Sequence, residues 1–128
     1  MVISAFLDTS ITIDLLRGDP RAVSWYASLQ NQTVAITPIV WMETIQGAGN
    51  KIQLTRFVRF LRQFHLEHPA REDNEWAMKQ FEQFHLSHRI DYEDLMIASV
   101  AVRLSVPLFT LNIRHYAPLP DVDERKPY

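Results

Sequence analysis

The alternation of short, apolar, β-rich runs with helical stretches most strongly limits how this chain can fold. An apolar run at residues 2–7 precedes a helical stretch at 11–16, and a β-like run at 33–37 precedes a helix that Pro38 can begin. A strand–helix–strand–helix order is typical of a parallel sheet covered by helices. The sequence therefore predicts the α/β class, with a central, mainly parallel sheet.

The second half of the chain continues the same pattern. Helical spacing of apolar residues recurs at 51–63, 70–87 and 91–104, and a buried strand is predicted at 107–110. Residues 118–128 contain three prolines and many charges, which predicts a surface loop and a frayed end. A domain usually has roughly 100–200 residues, so we expect residues 1–128 to form one domain.

Composition excludes several classes of protein. The chain has 13 basic and 15 acidic residues, so no bulk positive charge is available to hold nucleic acid unaided. It has no cysteine, which excludes disulfide scaffolds, zinc ribbons and thiol catalysis. No apolar run approaches the roughly 18–20 residues of a membrane-spanning helix, and no signal peptide is apparent. We therefore expect a soluble protein of the cytoplasm.

Three acidic residues fall where a parallel α/β fold places its ligands. Asp8 ends the first strand, Glu43 lies in the helix after the second strand, and Asp94 lies in the first turn of the helix at 91–104. A carboxylate beside apolar surface is costly unless it is paired or binds a cation. Three such groups that repel one another favour Mg²⁺ or Mn²⁺, which take oxygen ligands.

Each acid also has a structural interpretation when it is considered alone. Asp8 could cap the helix that follows it, Glu43 could be a solvated helix residue, and Asp94 could be a first-turn acid favoured by the helix dipole. Of the two neighbouring acids, Asp91 fits a helix cap and Glu93 is expected to be solvated. Only the joint placement of the three acids favours a functional site.

Several short motifs, in order, resemble one known family. The segments Phe6-Leu7-Asp8-Thr9-Ser10 and Ile13-Asp14-Leu15-Leu16-Arg17-Gly18 resemble the opening of a PIN domain, most closely that of the VapC-type ribonuclease toxins. The run Asp94-Leu95-Met96-Ile97-Ala98 is similar to the family's third-acid helix, and Thr110-Leu111-Asn112-Ile113-Arg114-His115-Tyr116 is similar to its closing motif. Glu43 occupies the position of the second acid. The resemblance covers roughly residues 2–122.

The resemblance implies a three-layer α/β/α sandwich that hydrolyses RNA phosphodiester bonds with a water activated by Mg²⁺ or Mn²⁺. Asp8 and Asp94 would hold the metal, and Glu43 would complete the acidic cluster directly or through water. Asn112 would bond to a metal-bound water or to Asp8. Hydroxyl groups would orient the first acid, and the family pattern assigns them to Thr9, Ser10 and Thr110. Many relatives have a fourth aspartate where this chain has Asn112, which puts a second metal site in doubt.

The resemblance also implies partners: an RNA substrate, a cognate antitoxin and a second copy of the chain in a homodimer. Arginines 56, 59 and 62 form a stripe along one helix that could contact RNA or an acidic peptide, or could simply be a solvated face. Two other functions stay open, a non-toxin RNA-processing nuclease and a catalytically silent binding module of the same fold. A receiver-like signalling domain is disfavoured because no lysine follows a late strand.

Overall fold

The computed structural model describes residues 1–128, which form one five-stranded sheet and seven helices. The strands are β1 (Ile3–Leu7), β2 (Thr33–Ile36), β3 (His65–Leu66), β4 (Leu108–Phe109) and β5 (Glu124–Arg125). The helices are α1 (Thr9–Leu16), α2 (Pro20–Ala27), α3 (Pro38–Gln46), α4 (Lys51–Leu61), α5 (Arg71–His88), α6 (Tyr92–Leu104) and α7 (Ile113–Tyr116). The predicted α/β/α sandwich is confirmed.

All strand pairs are parallel, and the strands lie in the order β3-β2-β1-β4-β5. Strands β2 and β3 add in turn on one side of β1, and β4 and β5 add in turn on its other side. Contacts of α1 with α2 and α3, of α3 with α4, and of α5 with α6 fit the usual right-handed crossovers, by which α1–α4 cover one face of the sheet and α5 and α6 the other. The direction reverses between β1 and β4, and such a reversal opens a crevice at the carboxyl ends of the strands.

Local signals explain where several elements begin and end. Gly18 follows α1 with a φ of +71°, a conformation that glycine adopts without strain. The Asp19 carboxylate accepts hydrogen bonds from the first backbone amides of α2, and Pro20 occupies the first turn. Asp91 caps α6 by accepting a hydrogen bond from the Glu93 amide, as the sequence predicts. These residues mark the ends of elements through interactions with their own or the next few backbone groups.

Helix α6 lies at the centre of the hydrophobic core. Its small apolar face is almost completely buried, and the helix packs against α5 and β1. The fully or nearly fully buried members on this helix are Leu95, Ile97, Ala98, Val100 and Ala101. The acid at its first turn, Asp94, is therefore anchored by a rigid and well-packed element.

The prediction of a surface loop and frayed end at 118–128 was wrong in part. Strand β5 adds to the sheet, with the Leu108 amide donating to the Asp123 carbonyl at 2.9 Å and the Thr110 amide donating to the Arg125 carbonyl at 3.0 Å. The Tyr128 hydroxyl donates to Asp14 at 2.8 Å. Charged and proline-rich sequence is typical of short edge strands as well as of loops, so composition could not distinguish the two.

None of the seven helices combines the length and the apolar character that crossing a bilayer requires.

Candidate functional site

Three neighbouring strands end side by side in polar residues. Phe6 pairs with Ala35 and Leu7 pairs with Phe109, so the residues that follow β2, β1 and β4 are Thr37, Asp8 and Thr110 in one row. All three side chains are buried. The Thr37 hydroxyl has no hydrogen-bond partner within the chain, which leaves a polar atom at this edge for a water or a ligand.

The Asp8 carboxylate is held by donors rather than by an opposite charge. Its Oδ2 accepts hydrogen bonds from the Thr110 hydroxyl at 2.6 Å and the Ser10 hydroxyl at 3.3 Å, and its Oδ1 accepts one from the Thr9 amide at 2.8 Å. The last bond makes Asp8 the cap of α1, so the capping interpretation is confirmed, and it leaves the carboxylate free to serve a functional role as well. Two oxygens fixed in this way cannot rotate freely, which preorganises them for a ligand.

Glu43 is oriented by a residue that was expected to serve Asp8. The Thr9 hydroxyl donates to Glu43 Oε1 at 2.7 Å instead of bonding to the first acid. Burial, with smaller contributions from the negative charges of Glu93 and Asp8, raises the pKa of Glu43 to about 7, although the Thr9 bond acts in the opposite direction. Ionisation of Glu43 in this environment costs free energy unless a cation compensates the charge.

Asp94 completes the set from the first turn of α6. Its Oδ2 lies 3.0 Å from His115 Nδ1, and its Oδ1 accepts a longer bond, at 3.4 Å, from the Tyr116 hydroxyl. Burial and, to a smaller extent, the charge of Asp8 raise the pKa of Asp94 to about 6, although His115 opposes the shift. The charge of Asp8 raises the pKa of both Glu43 and Asp94, so Asp8 lies near each of these acids.

Glu93 belongs to the site, although the sequence predicted a solvated side chain. It is half-buried, and its carboxyl lies close enough to Glu43 to raise the pKa of that residue through both a hydrogen bond and its charge. The reason is the packing of α3 against the start of α6, which turns Glu93 toward Glu43. Helical spacing places Glu93 away from Asp94 but does not reveal which neighbouring helix it faces.

Asn112 makes no side-chain hydrogen bond to Asp8, so that part of the expectation is not met in the structure. Its backbone amide donates instead to the Thr110 hydroxyl at 2.9 Å, and its side chain is exposed. Thr110 thus accepts from Asn112 while donating to Asp8. The Ser10 hydroxyl similarly accepts from the Leu111 amide at 3.1 Å, which ties α1 to the segment after β4.

We predict that Thr110→Val lowers the free energy of unfolding by about 1–3 kcal/mol, because the Asn112 amide and the Asp8 carboxylate both lose a buried partner. Valine has nearly the same shape, so the change isolates the hydroxyl. Thr110→Ser retains a hydroxyl and serves as the control in urea denaturation. Equal stability of wild type and the valine variant would show that water replaces the hydroxyl.

The acids are also expected to destabilise the metal-free protein at neutral pH. The pKa of Glu43 is raised from 4.5 to about 7 in the folded state, so folding favours the protonated form. The loss of folding free energy caused by ionised Glu43 is absent below about pH 4.5 and reaches its full value above about pH 7. Glu43→Gln removes that cost and should stabilise the chelator-treated protein by about 1–2 kcal/mol at about pH 8, a value reduced for solvent screening.

The measurement is urea denaturation of wild type and Glu43→Gln in chelator at both ends of that pH range. Near pH 4 the two proteins should have the same stability, because the wild-type carboxyl is then protonated in both states. Glu82→Gln, at an exposed acid of α5 that forms no ion pair, is the control for an amide introduced elsewhere. A constant difference at all pH values would contradict this account of Glu43.

The donor set suits a hard divalent cation that keeps part of its water shell. No three His, Asp or Glu side chains form a ready-made ligand cage as they are placed. Magnesium usually binds through one or two carboxylates and completes its shell with water, so Asp8 and Asp94 with intervening waters fit this requirement. No lysine or arginine forms an ion pair with Asp8, Glu43 or Asp94, which leaves their charge uncompensated except at His115.

Comparisons with known proteins agree with the fold. The sequence profile of the family described as "PIN domain" matches residues 5–118. A curated protein named Ribonuclease VapC19, from Mycobacterium tuberculosis, is 29% identical over 119 residues, which cover 91% of this chain and 94% of that protein.

Solved structures of toxin–antitoxin complexes share the architecture. A chain of a toxin–antitoxin complex from Klebsiella pneumoniae superposes with a TM-score of 0.80 at 26% identity, covering 98% of both chains. A chain of VapBC-1 from nontypeable Haemophilus influenzae gives a TM-score of 0.81 at 23% identity, covering 97% of this chain and 98% of that one, and supports the fold alone.

Proposed function

Because this chain belongs to the PIN-domain family, we propose that it is a metal-dependent endoribonuclease that acts as the toxin of a toxin–antitoxin pair. One observation carries the proposal. Asp8 lies at the carboxyl edge of the sheet, near enough to Glu43 in α3 and to Asp94 in α6 to raise the pKa of each, and none of the three is paired with a lysine or arginine. Similarity to Ribonuclease VapC19 supports RNA as the substrate.

In this proposal Asp8 and Asp94 hold Mg²⁺ or Mn²⁺, and Glu43 completes the cluster directly or through water. The bound cation supplies positive charge for the phosphate oxygens and lowers the pKa of a water molecule. Thr110, Ser10 and the Thr9 amide keep the Asp8 oxygens in place. The exposed Asn112 side chain would form a hydrogen bond with a metal-bound water at this edge.

Glu43 is suited to proton transfer. The Thr9 hydroxyl fixes Oε1, and the carboxyl also shares a hydrogen bond with Glu93, so we assign the Glu43–Glu93 pair as the acceptor of the proton that water loses as it attacks phosphorus. A general base is most effective when its pKa lies near the working pH, and the pKa of Glu43 is about 7.

Binding of the proposed antitoxin or of a second copy requires an exposed surface on this chain. Helix α4 offers it, because Ile52 and Leu54 are 84% and 40% exposed and Leu61 is the one buried residue of this helix. Arg56 donates to the Leu16 carbonyl, whereas Arg59 and Arg62 are exposed. An amphipathic partner helix would cover such an apolar strip.

Incubation of the purified protein with a panel of structured RNAs, in Mg²⁺, in Mn²⁺ and in chelator, tests the proposed function. We expect cuts with either metal and none in chelator. Cleavage that is unaffected by chelator would contradict a metal mechanism. Absence of cuts in protein shown to be folded and free of partner would favour the silent binding module, and cuts without growth arrest on expression would favour an RNA-processing nuclease.

A further inference from the structure

A small cavity beside Asp94 carries basic groups that the proposed catalytic residues do not use. Its volume is about 180 Å³, and its lining includes Arg89, Arg114, His88 and His115 together with Asp94. Pockets for drug-sized ligands have roughly 300–1,000 Å³, so this cavity fits a small charged group rather than a base or a whole nucleotide.

The two arginines in this cavity are free to bind an anion. Neither Arg89 nor Arg114 forms an ion pair, whereas the other cavity charges are occupied. Asp91 accepts a hydrogen bond from the Glu93 amide, and Asp94 is paired with His115. The two arginine charges of the cavity are therefore not paired with its carboxylates.

The backbone at Arg89 supports the same interpretation. Arg89 ends α5 in the left-handed region, with a φ of 48°, where glycine or asparagine fits with less strain. Local conformation therefore does not favour arginine at this position. The conformation does turn the chain between α5 and α6, which brings Arg89 beside the first turn of α6 and its Asp94.

We propose that Arg89 and Arg114 form a subsite for a phosphate of single-stranded RNA next to the phosphate that is cleaved. The guanidinium group binds phosphate oxygens through paired, charge-assisted hydrogen bonds, and His88 and His115 line the remaining wall. The cavity adjoins Asp94, so the phosphate bound there belongs to a nucleotide that flanks the cut. This inference names a binding determinant within the proposed function and rests on it.

RNA binding measured without cleavage tests this subsite. The assay follows the fluorescence anisotropy of a labelled single-stranded RNA in chelator, with the double variant Arg89→Gln, Arg114→Gln and with Arg71→Gln as control. Arg71 is 94% exposed and lies 17 residues from His88 on α5, about 25 Å along the helix. We expect the double variant to raise Kd about tenfold and the control to leave it unchanged.

Salt dependence and a modified RNA identify the contact as a phosphate. Between about 50 and 200 mM salt, the slope of log K against log salt should fall by about 0.7 in the double variant, the value for one lost phosphate on a single strand. Methylphosphonate linkages, which lack the charge, are then scanned along the RNA. One position should weaken binding by wild type and have no effect on the double variant.

Equal affinity and equal salt slope in wild type and the double variant would overturn the subsite. So would unchanged RNA binding with lost binding of the antitoxin, because the arginines would then serve a protein partner. Wild type that binds RNA through these arginines but cuts none in Mg²⁺ or Mn²⁺ would refute the proposed nuclease and leave the subsite standing.

Discussion

Replacing Asp94 by Asn is expected to lower the rate of RNA cleavage at least about 1,000-fold, because the amide cannot supply the charge that holds the cation. The side chain keeps its size, and its oxygen still accepts a bond from Tyr116 or His115. The fold should therefore survive. Burial and the charge of Asp8 both oppose ionisation of Asp94, so the metal-free variant should be at least as stable as wild type above pH 6.

The measurement compares initial cleavage rates in Mn²⁺ with stability in urea for wild type, Asp94→Asn and Asp8→Asn. Asp91→Asn is the matched control, because Asp91 caps the same helix and asparagine is an equally good cap. Its rate should stay within a few-fold of wild type. Metal-dependent cleavage at the wild-type rate in Asp94→Asn would remove this acid from the mechanism.

Arg103→Met is expected to cost about 3–5 kcal/mol of the free energy of unfolding, since it leaves a buried charge without its partner. Arg103 Nε donates to both oxygens of Asp73, at 2.9 and 3.0 Å, and the Asp73 side chain is 1% exposed. Asp73 also accepts a hydrogen bond from the Ala70 amide at 2.7 Å, so it ties the start of α5 to the end of α6.

The control is Arg71→Met, which breaks an ion pair with Glu75 on the same helix α5. Both of those side chains are largely solvated, and the loss should stay below about 1 kcal/mol. Urea denaturation of the two variants gives the comparison. Similar small losses in both would show that methionine packs well enough against Asp73, or that water reaches the carboxylate.

The sequence predicts most elements of this fold because their ends carry local signals. Gly18, Pro20 and Asp91 act through their own backbone or the next few amides, and the structure has them where such signals place them. Strand β5 lacks any such signal. Its two residues are charged, and they pair only because β4 offers a free edge.

In the candidate site, too, some features follow from local sequence signals and others depend on tertiary packing. The position of Asp8 and Thr110 follows from strands that end in register, which the strand–acid–helix pattern makes visible. The bond from Thr9 to Glu43 and the approach of Glu93 to Glu43 depend on how α1, α3 and α6 pack against one another. Those distances are set by tertiary contacts, so spacing along the chain cannot reveal them.

The central claim is that Asp8, Glu43 and Asp94 converge to bind a divalent cation, and Mn²⁺ binding tests it most directly. Electron paramagnetic resonance counts free Mn²⁺ in titrations of wild type, Asp94→Asn and Asp91→Asn. We predict binding by wild type that weakens as pH falls from about 8 to about 6, since protons compete for Glu43 and Asp94. Asp94→Asn should bind at least about tenfold more weakly and Asp91→Asn like wild type. Equal binding in all three proteins, or none in wild type, would contradict the account.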